Sequence, residues 1–185
     1  MEPTSIKIPA ELFALAESSR FEGDLDLDAL DANPDEYRFD APLAWWVDVT
    51  NTGEALLVAG SVEGRAITSC ARCLADVPFD LQGDIEGYFL IDPEKSAPED
   101  LDDDEIDVLP ADHIIDLEPL IRAALLMEIP FVPLCREDCK GLCSQCGADL
   151  NEGPCSCGVS DFDREFDRAR NPFSVLEGLH LDADE

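Results

Sequence analysis

Histidine and positive charge are what this chain has least of. It has 2 histidines, His113 and His180, and 12 Lys and Arg against 43 Asp and Glu, a formal net charge of −31 over 185 residues. Two histidines leave little material for general-base chemistry, and both read as surface residues. The motifs GxSxG, GxxxxGK, GxGxxG and HExxH are absent, so the usual nucleophile elbow, phosphate loop, dinucleotide loop and zinc-protease helix have no candidate. Basic charge is scarce throughout: Met1–Leu134 carries 31 acids against 7 bases, and Cys135–Glu185 carries 12 against 5. No basic footprint for nucleic acid exists at either end. No apolar run reaches the length of a membrane span. The opening residues lack the cationic start and apolar stretch of a signal peptide. The expectation is a cytoplasmic, non-catalytic protein with no membrane and no small-molecule substrate.

Hydrophobic residues make up 45% of the chain, enough for a packed core and too many for general disorder. The expected class is α+β: a curled antiparallel β-sheet or small barrel covered by one main helix, with a C-terminal Cys-rich zinc module. The expected division is 1–112, β-rich and ending in an acidic linker, and 113–185, holding the helix, the Cys-rich module and a C-terminal helix. Segments 44–50, 55–69 and 77–91 read as strands. Asn51-Thr52-Gly53 marks a turn, and Gly60 and Gly64 suggest a bend or bulge. Residues 6–16 fit either a strand or a short helix. Asp24, Asp26 and Asp28 superficially resemble a calcium loop, but Ala29 stands where glycine is needed; the simpler reading is a strand with Leu25 and Leu27 inward. Leu117, Leu120, Ile121, Ala124, Leu125 and Ile129 recur at helical spacing, with Asp116 as cap and Pro119 in the first turn. Residues 92–107 hold nine acids and one lysine, an acidic solvated linker. Near the end, Asn171-Pro172 reads as a cap and first-turn proline, with Phe173, Leu176 and Leu179 on one helix face.

Two side-chain sets invite a functional reading beside a simpler one. In a strand, one of Trp45 and Trp46 faces inward and the other outward, where it could anchor a partner or merely lie half-buried. Arg164, Arg168 and Arg170 are interleaved with Asp161, Asp163, Glu165 and Asp167, which fits a salt-bridged helix face better than RNA contact.

Eight cysteines are the chemistry that is present. Cys70 and Cys73 form a lone CxxC; Cys135, Cys139, Cys143, Cys146, Cys155 and Cys157 follow some sixty residues later. Eight thiols make two tetrahedral sets, and pairs two to four residues apart chelate Zn²⁺ without strain. Cys143-Ser144-Gln145-Cys146-Gly147 reads as a metal knuckle, its glycine freeing the backbone to curl. Cys155-Ser156-Cys157 has one spacer residue, not two, and only eight residues separate it from Cys146. The remaining four, Cys70, Cys73, Cys135 and Cys139, are expected to form a second cage clamping a hairpin tip to the end of the helix. One or two structural zinc ions are the expected cofactor. Iron–sulfur ligation also uses four thiolates, although the spacing matches neither ferredoxin pattern. A thiol–disulfide redox protein using Cys70 and Cys73 is the alternative; it needs an activated thiolate, and the flanks look like strands.

The pieces CARCL (70–74), DLEPLIRAALLMEIPFVPLC (116–135), CKGLCSQCGADLN (139–151) and NPFSVLEGL (171–179) together resemble the YceD family, the large ribosomal RNA subunit accumulation proteins. The resemblance spans most of the chain beyond Ser69. It implies a ribosome biogenesis factor supporting synthesis, processing or stability of 23S rRNA, and it implies no catalytic residues. Some relatives lack the CKGLC…CxC cluster, which fits two separate metal sites. With so acidic a surface, the expected partner is a basic ribosomal protein or large-subunit assembly factor; the residues leave direct rRNA binding open.

Overall fold

A computed structural model describes residues 4–92 and 106–157. By packing, the chain divides into two compact units, Met1–Glu137 and Asp138–Glu185.

The first unit is mostly β-sheet. Its strands are β1 (Ser5–Lys7), β2 (Ser18–Leu25), β3 (Ala29–Ala32), β4 (Asp35–Phe39), β5 (Leu43–Asn51), β6 (Ala55–Ser69), β7 (Asp76–Leu90), β8 (Ile106–Val108) and β9 (Ile114–Asp116), followed by one helix, α1 (Glu118–Glu128). A 3-10 turn at Ala10–Phe13 follows β1, so residues 6–16 contain both a strand and a short helical turn.

Strand β6 organises the main sheet. Its first part pairs with β5, which pairs in turn with β2, and near its end it pairs with β4, which pairs with β3. Strand β7 runs antiparallel along the whole of β6, from Ala55↔Leu90 to Ser69↔Asp76. That register has no skip, so the bulge expected at Gly60 or Gly64 is absent from this pairing. Strand β8 lies parallel to β7. The sheet is therefore not wholly antiparallel, and it stays open, with β2, β3 and β8 each paired on one side only among the described residues; no closed barrel forms. The separate β1–β9 pair was not legible in the sequence. It leads directly into α1, and Leu117 N–H donates to Thr4 O at 2.8 Å.

Alternation sets the inner face. In β5, Leu43, Trp45, Val47, Val49 and Asn51 are buried, while Ala44 and Trp46 are exposed. Of the adjacent tryptophans, Trp45 is the core residue, packed over Gly23, and Trp46 remains 39% exposed. Asn51 is a polar residue in this layer that stays satisfied: its Nδ2 donates to Leu12 O at 2.8 Å, and its Oδ1 accepts from Gly53 N–H at 2.7 Å. Leu25 and Leu27 are buried and Asp24, Asp26 and Asp28 exposed, the inward–outward pattern expected of that segment, although β2 ends at Leu25 and Leu27 lies in the connection to β3.

Helix α1 presents Ile121, Ala124 and Leu125 to the sheet, all buried, each large side chain contributing about 1.5–3 kcal/mol. It approaches β7 so closely that a Cβ on Gly83 would lie 2.7 Å from the backbone of Ala124. The N-cap is Leu117, with no side-chain cap of its own. Asp116, one residue earlier, accepts the Glu118 N–H at 3.0 Å, satisfying a donor that the helix start leaves open. Because α1 packs on β7, it belongs with the strands, and the division of the chain falls after Glu137 where the sequence reading drew it at 112/113. Of the expected linker 92–107, residues 93–105 lie outside the described residues, as do the Arg164–Arg170 segment, the expected helix after Asn171 and His180; Ile106 and Asp107, read as linker, instead belong to β8.

Candidate metal centres

The tip of the β6–β7 hairpin is a tight loop, Cys70–Ala75. Cys70 N–H donates to Ala75 O at 2.8 Å, and Leu74 N–H donates back to Cys70 O at 2.9 Å. The loop closes only because Leu74 takes a left-handed conformation, φ 61°, unusual for a non-glycine residue. Its inner N–H groups point at sulfur: the Arg72 amide lies 3.5 Å from Cys70 Sγ.

The segment Cys143–Ala148 repeats this geometry. Cys143 N–H donates to Ala148 O at 2.8 Å, and Gly147 N–H donates to Cys143 O at 2.8 Å, with Gly147 at φ 70°. Both CxxC pairs are thus knuckles of the same construction. Glycine makes the second one readable from sequence, and Leu74 hides the first.

All eight cysteines are thiols. Their sulfurs gather in two groups of four, Cys70, Cys73, Cys135 and Cys139, and Cys143, Cys146, Cys155 and Cys157, each with sulfurs within 4.8 Å of one another. In the first group, Cys73 Sγ and Cys135 Sγ are 3.6 Å apart. The segment carrying Cys135 is held to the knuckle by the Ala71 N–H donating to Pro133 O at 2.8 Å and by Arg72 Nη1 donating to Glu137 O at 3.2 Å. Cys139 follows Cys135 by one short turn of chain. Cys70, Cys73 and Cys139 are buried, and Cys135 is exposed. In the second group Cys146 is exposed and the other three are half-buried. The single-residue spacing of Cys155 and Cys157 therefore still brings both sulfurs into one set.

The donor set suits a thiophilic dication. Tetrahedral Zn–S bonds of about 2.3 Å place sulfurs about 3.8 Å apart, close to the separations seen. Without a cation, four crowded thiols cannot all ionise. Burial would push Cys70 up, but backbone N–H groups of Cys73, Cys135 and Arg72 outweigh it and bring its pKa down to about 6. The N–H groups of Cys146 and Gln145, with the Cys155 and Cys146 thiols, bring Cys143 down to about 6. The hydrogen bond to Cys146, with burial and the neighbouring thiolate charge, pushes Cys157 up to about 12, and the bond to Cys143 raises Cys155. A bound dication would remove that mutual repulsion.

Asn151 is a supporting residue that the sequence reading passed over. Its Nδ2 lies 3.4 Å from Cys139 Sγ and 2.7 Å from Asp149 Oδ1, and its Oδ1 accepts the Lys140 N–H at 2.8 Å. Such contacts orient metal ligands. The available signal was an asparagine five residues past a cysteine knuckle, in turn-forming surroundings. His113 joins neither group. It is exposed, at φ 57°, with its ring 4.8 Å from that of Phe13.

A β-sheet whose hairpin tip carries one thiol knuckle, with a second knuckle in a compact C-terminal unit, defines a cysteine-rich protein with two four-thiol groups able to hold a metal ion. The family model described as large ribosomal RNA subunit accumulation protein YceD matches residues 58–180, and the chain belongs to the YceD family. It is similar to a protein of Mycobacterium tuberculosis, 39% identical over 106 residues, covering 57% of this chain and 50% of that one. It is also similar to large ribosomal RNA subunit accumulation protein YCED homolog 1, chloroplastic, of Arabidopsis thaliana, 27% identical over 171 residues, 78% of this chain and 53% of that one. The protein of the same name in Zea mays is 30% identical over 142 residues, 63% of this chain and 48% of that one. The chain spans about half the length of the curated relatives it matches. No solved structure matches it. No helix among the described residues is long and apolar enough to cross a membrane.

Proposed function

We propose that this protein is a non-catalytic ribosome biogenesis factor, cytoplasmic, that supports synthesis, processing or stability of 23S rRNA, and that it works by binding a basic ribosomal protein or large-subunit assembly factor. The family match over residues 58–180 carries the reading. The net charge of −31 supports a cationic protein partner over naked RNA, whose phosphates such a surface repels.

In this reading both four-thiol groups hold structural zinc. Tetrahedral all-thiolate sets without histidine or carboxylate leave no open coordination position, which is the signature of a structural ion. The burial of Cys70 and Cys73 supports this role over a dithiol exchange enzyme, whose attacking thiolate must be accessible.

Two measurements test the proposal. Loss of the gene should lower the ratio of 23S to 16S rRNA, and restoring the chain should recover it. The tagged chain, retrieved from lysate at low and at moderate salt, should carry a basic ribosomal or assembly protein. An unchanged rRNA ratio, or recovery of bare rRNA fragments with no basic protein required, would overturn it.

A further inference from the structure

One face of the main sheet is covered by α1; among the described residues the other carries no covering element, and the pairing registers place its side chains in rows. Glu22, Trp46, Ser61 and Asp84 form one row across β2, β5, β6 and β7; Arg20, Asp48, Ala59 and Glu86 form the next; Ser18, Thr50, Leu57 and Tyr88 form a third. Trp46 is 39% and Leu57 41% exposed. Large apolar side chains in the middle of an open sheet face are a common interface centre, and tryptophan is the residue most enriched among binding hot spots. Here the surround is acidic: Glu22, Asp84 and Glu86 are exposed and Asp48 half-buried.

The chain itself displays how this face holds a cation. The Arg20 guanidinium lies 4.3 Å from the Trp46 ring centroid, while its Nε and Nη2 donate to the Asp48 carboxylate at 2.9 and 2.7 Å. An aromatic ring with a carboxylate beside it is a matched receptor for guanidinium and ammonium groups. Trp46 also stands between Glu22 on β2 and Ser61 on β6, with Asp84 on β7 one strand further along the row, so a further cation arriving near the ring meets the Glu22 carboxylate on one side and a hydroxyl on the other.

We propose that this open sheet face, centred on Trp46 and Leu57 and rimmed by Glu22, Asp48, Asp84 and Glu86, is the docking surface for an arginine- and lysine-rich protein segment. The inference rests on the reading that the partner is a basic protein and adds where that partner binds. The apolar centre supplies the desolvated contact, and the acidic rim steers and orients the cationic chain.

The test uses the full chain and a synthetic lysine- and arginine-rich peptide, followed by tryptophan fluorescence and calorimetry at about 150 mM salt. The pair Asp84→Lys and Glu86→Lys should weaken binding about tenfold. An equal charge change elsewhere, Asp31→Lys with Glu36→Lys on β3 and β4, should weaken it less than about twofold. Trp46→Ala should also weaken binding, with Trp46→Phe recovering part of it. If the two charge-reversed pairs weaken the peptide equally, this face is not the docking surface, while the basic-partner reading stands. If the unaltered chain ignores the peptide, both fail. If an rRNA fragment binds instead, and binding tightens with the lysines at 84 and 86, the surface is a nucleic-acid site and the proposal is overturned.

Discussion

The sulfurs of Cys73 and Cys135 stand 3.6 Å apart although 62 positions separate them in the chain. The hydrogen bond from Ala71 N–H to Pro133 O fixes that approach from the backbone side, so the knuckle at the hairpin tip and the segment after α1 meet even before an ion is considered. An ion shared by these sulfurs would close a long loop, the arrangement in which a cross-link removes most entropy from the unfolded chain.

Metal content should follow the two groups. Protein purified without oxidant should hold two zinc ions per chain by elemental analysis, and Cys73→Ser and Cys146→Ser should each hold one. The ion among Cys143, Cys146, Cys155 and Cys157 should leave first under a chelator, because no cysteine of that group is buried, whereas three of the other group are. Stripping both should lower the melting temperature markedly, since site binding energy is folding energy. A metal-free protein with an unchanged melting temperature would contradict the assignment.

Leu74 should behave as a glycine position. Its φ of 61° costs an ordinary residue about 1–2 kcal/mol, and its side chain is 66% exposed, so little packing is lost on removing it. Leu74→Gly should match or exceed the parent in denaturant stability. Leu74→Val, β-branched at a left-handed position, should be less stable by about 1 kcal/mol.

Gly83 should tolerate nothing larger. A Cβ there meets the Ala124 backbone at 2.7 Å, and a helix backbone cannot swing aside as a side chain can. Gly83→Val should destabilise by about 3 kcal/mol, seen as a shifted urea midpoint with unchanged slope. Gly147→Ala, which meets nothing within 4 Å but sits at φ 70°, should cost only about 1 kcal/mol.

The Arg20–Asp48 pair sets a pH dependence. The hydrogen bond from Arg20 holds the Asp48 carboxyl below its ordinary range. A carboxyl depressed in the folded state adds stability that is present above its unfolded pKa and is lost as pH falls through the folded value. Asp48→Asn should therefore flatten part of the stability loss on acidification below the usual aspartate pKa. Arg20 is exposed and the half-buried Asp48 keeps 40% of its side chain accessible, so high salt should shrink the difference between variant and parent.

Local pattern carried much of the architecture. Two-residue alternation marked β5, β6 and β7 to within a residue or two, because each buries one face of a sheet. Helical spacing bounded by Asp116 and Pro130 marked α1. The elements that escaped include β3, β4, β8 and β9, three to five residues long and too short for a period to show; β8 and β9 exist through partners distant in sequence. Most of β2 (Ser18–Leu25) escaped as well, its sequence SSRFEGDL carrying only Phe21 and Leu25 as large apolar residues. Openness of the sheet was equally hidden, because closure depends on which edges meet.

What the residues alone determined is composition-level chemistry: an acidic molecule, a β-rich core with one covering helix, and eight thiols at spacings that chelate. These follow from charge, period and ligand type, none of which needs a neighbour from elsewhere in the chain. Tertiary structure decided which four sulfurs share a site, that Leu74 stands in for glycine, and that Trp46 faces out beside Arg20 and Asp48. Each of those depends on distance in space between residues far apart in sequence, which only the packed β6–β7 hairpin, its neighbouring strands and the chain after α1 bring together.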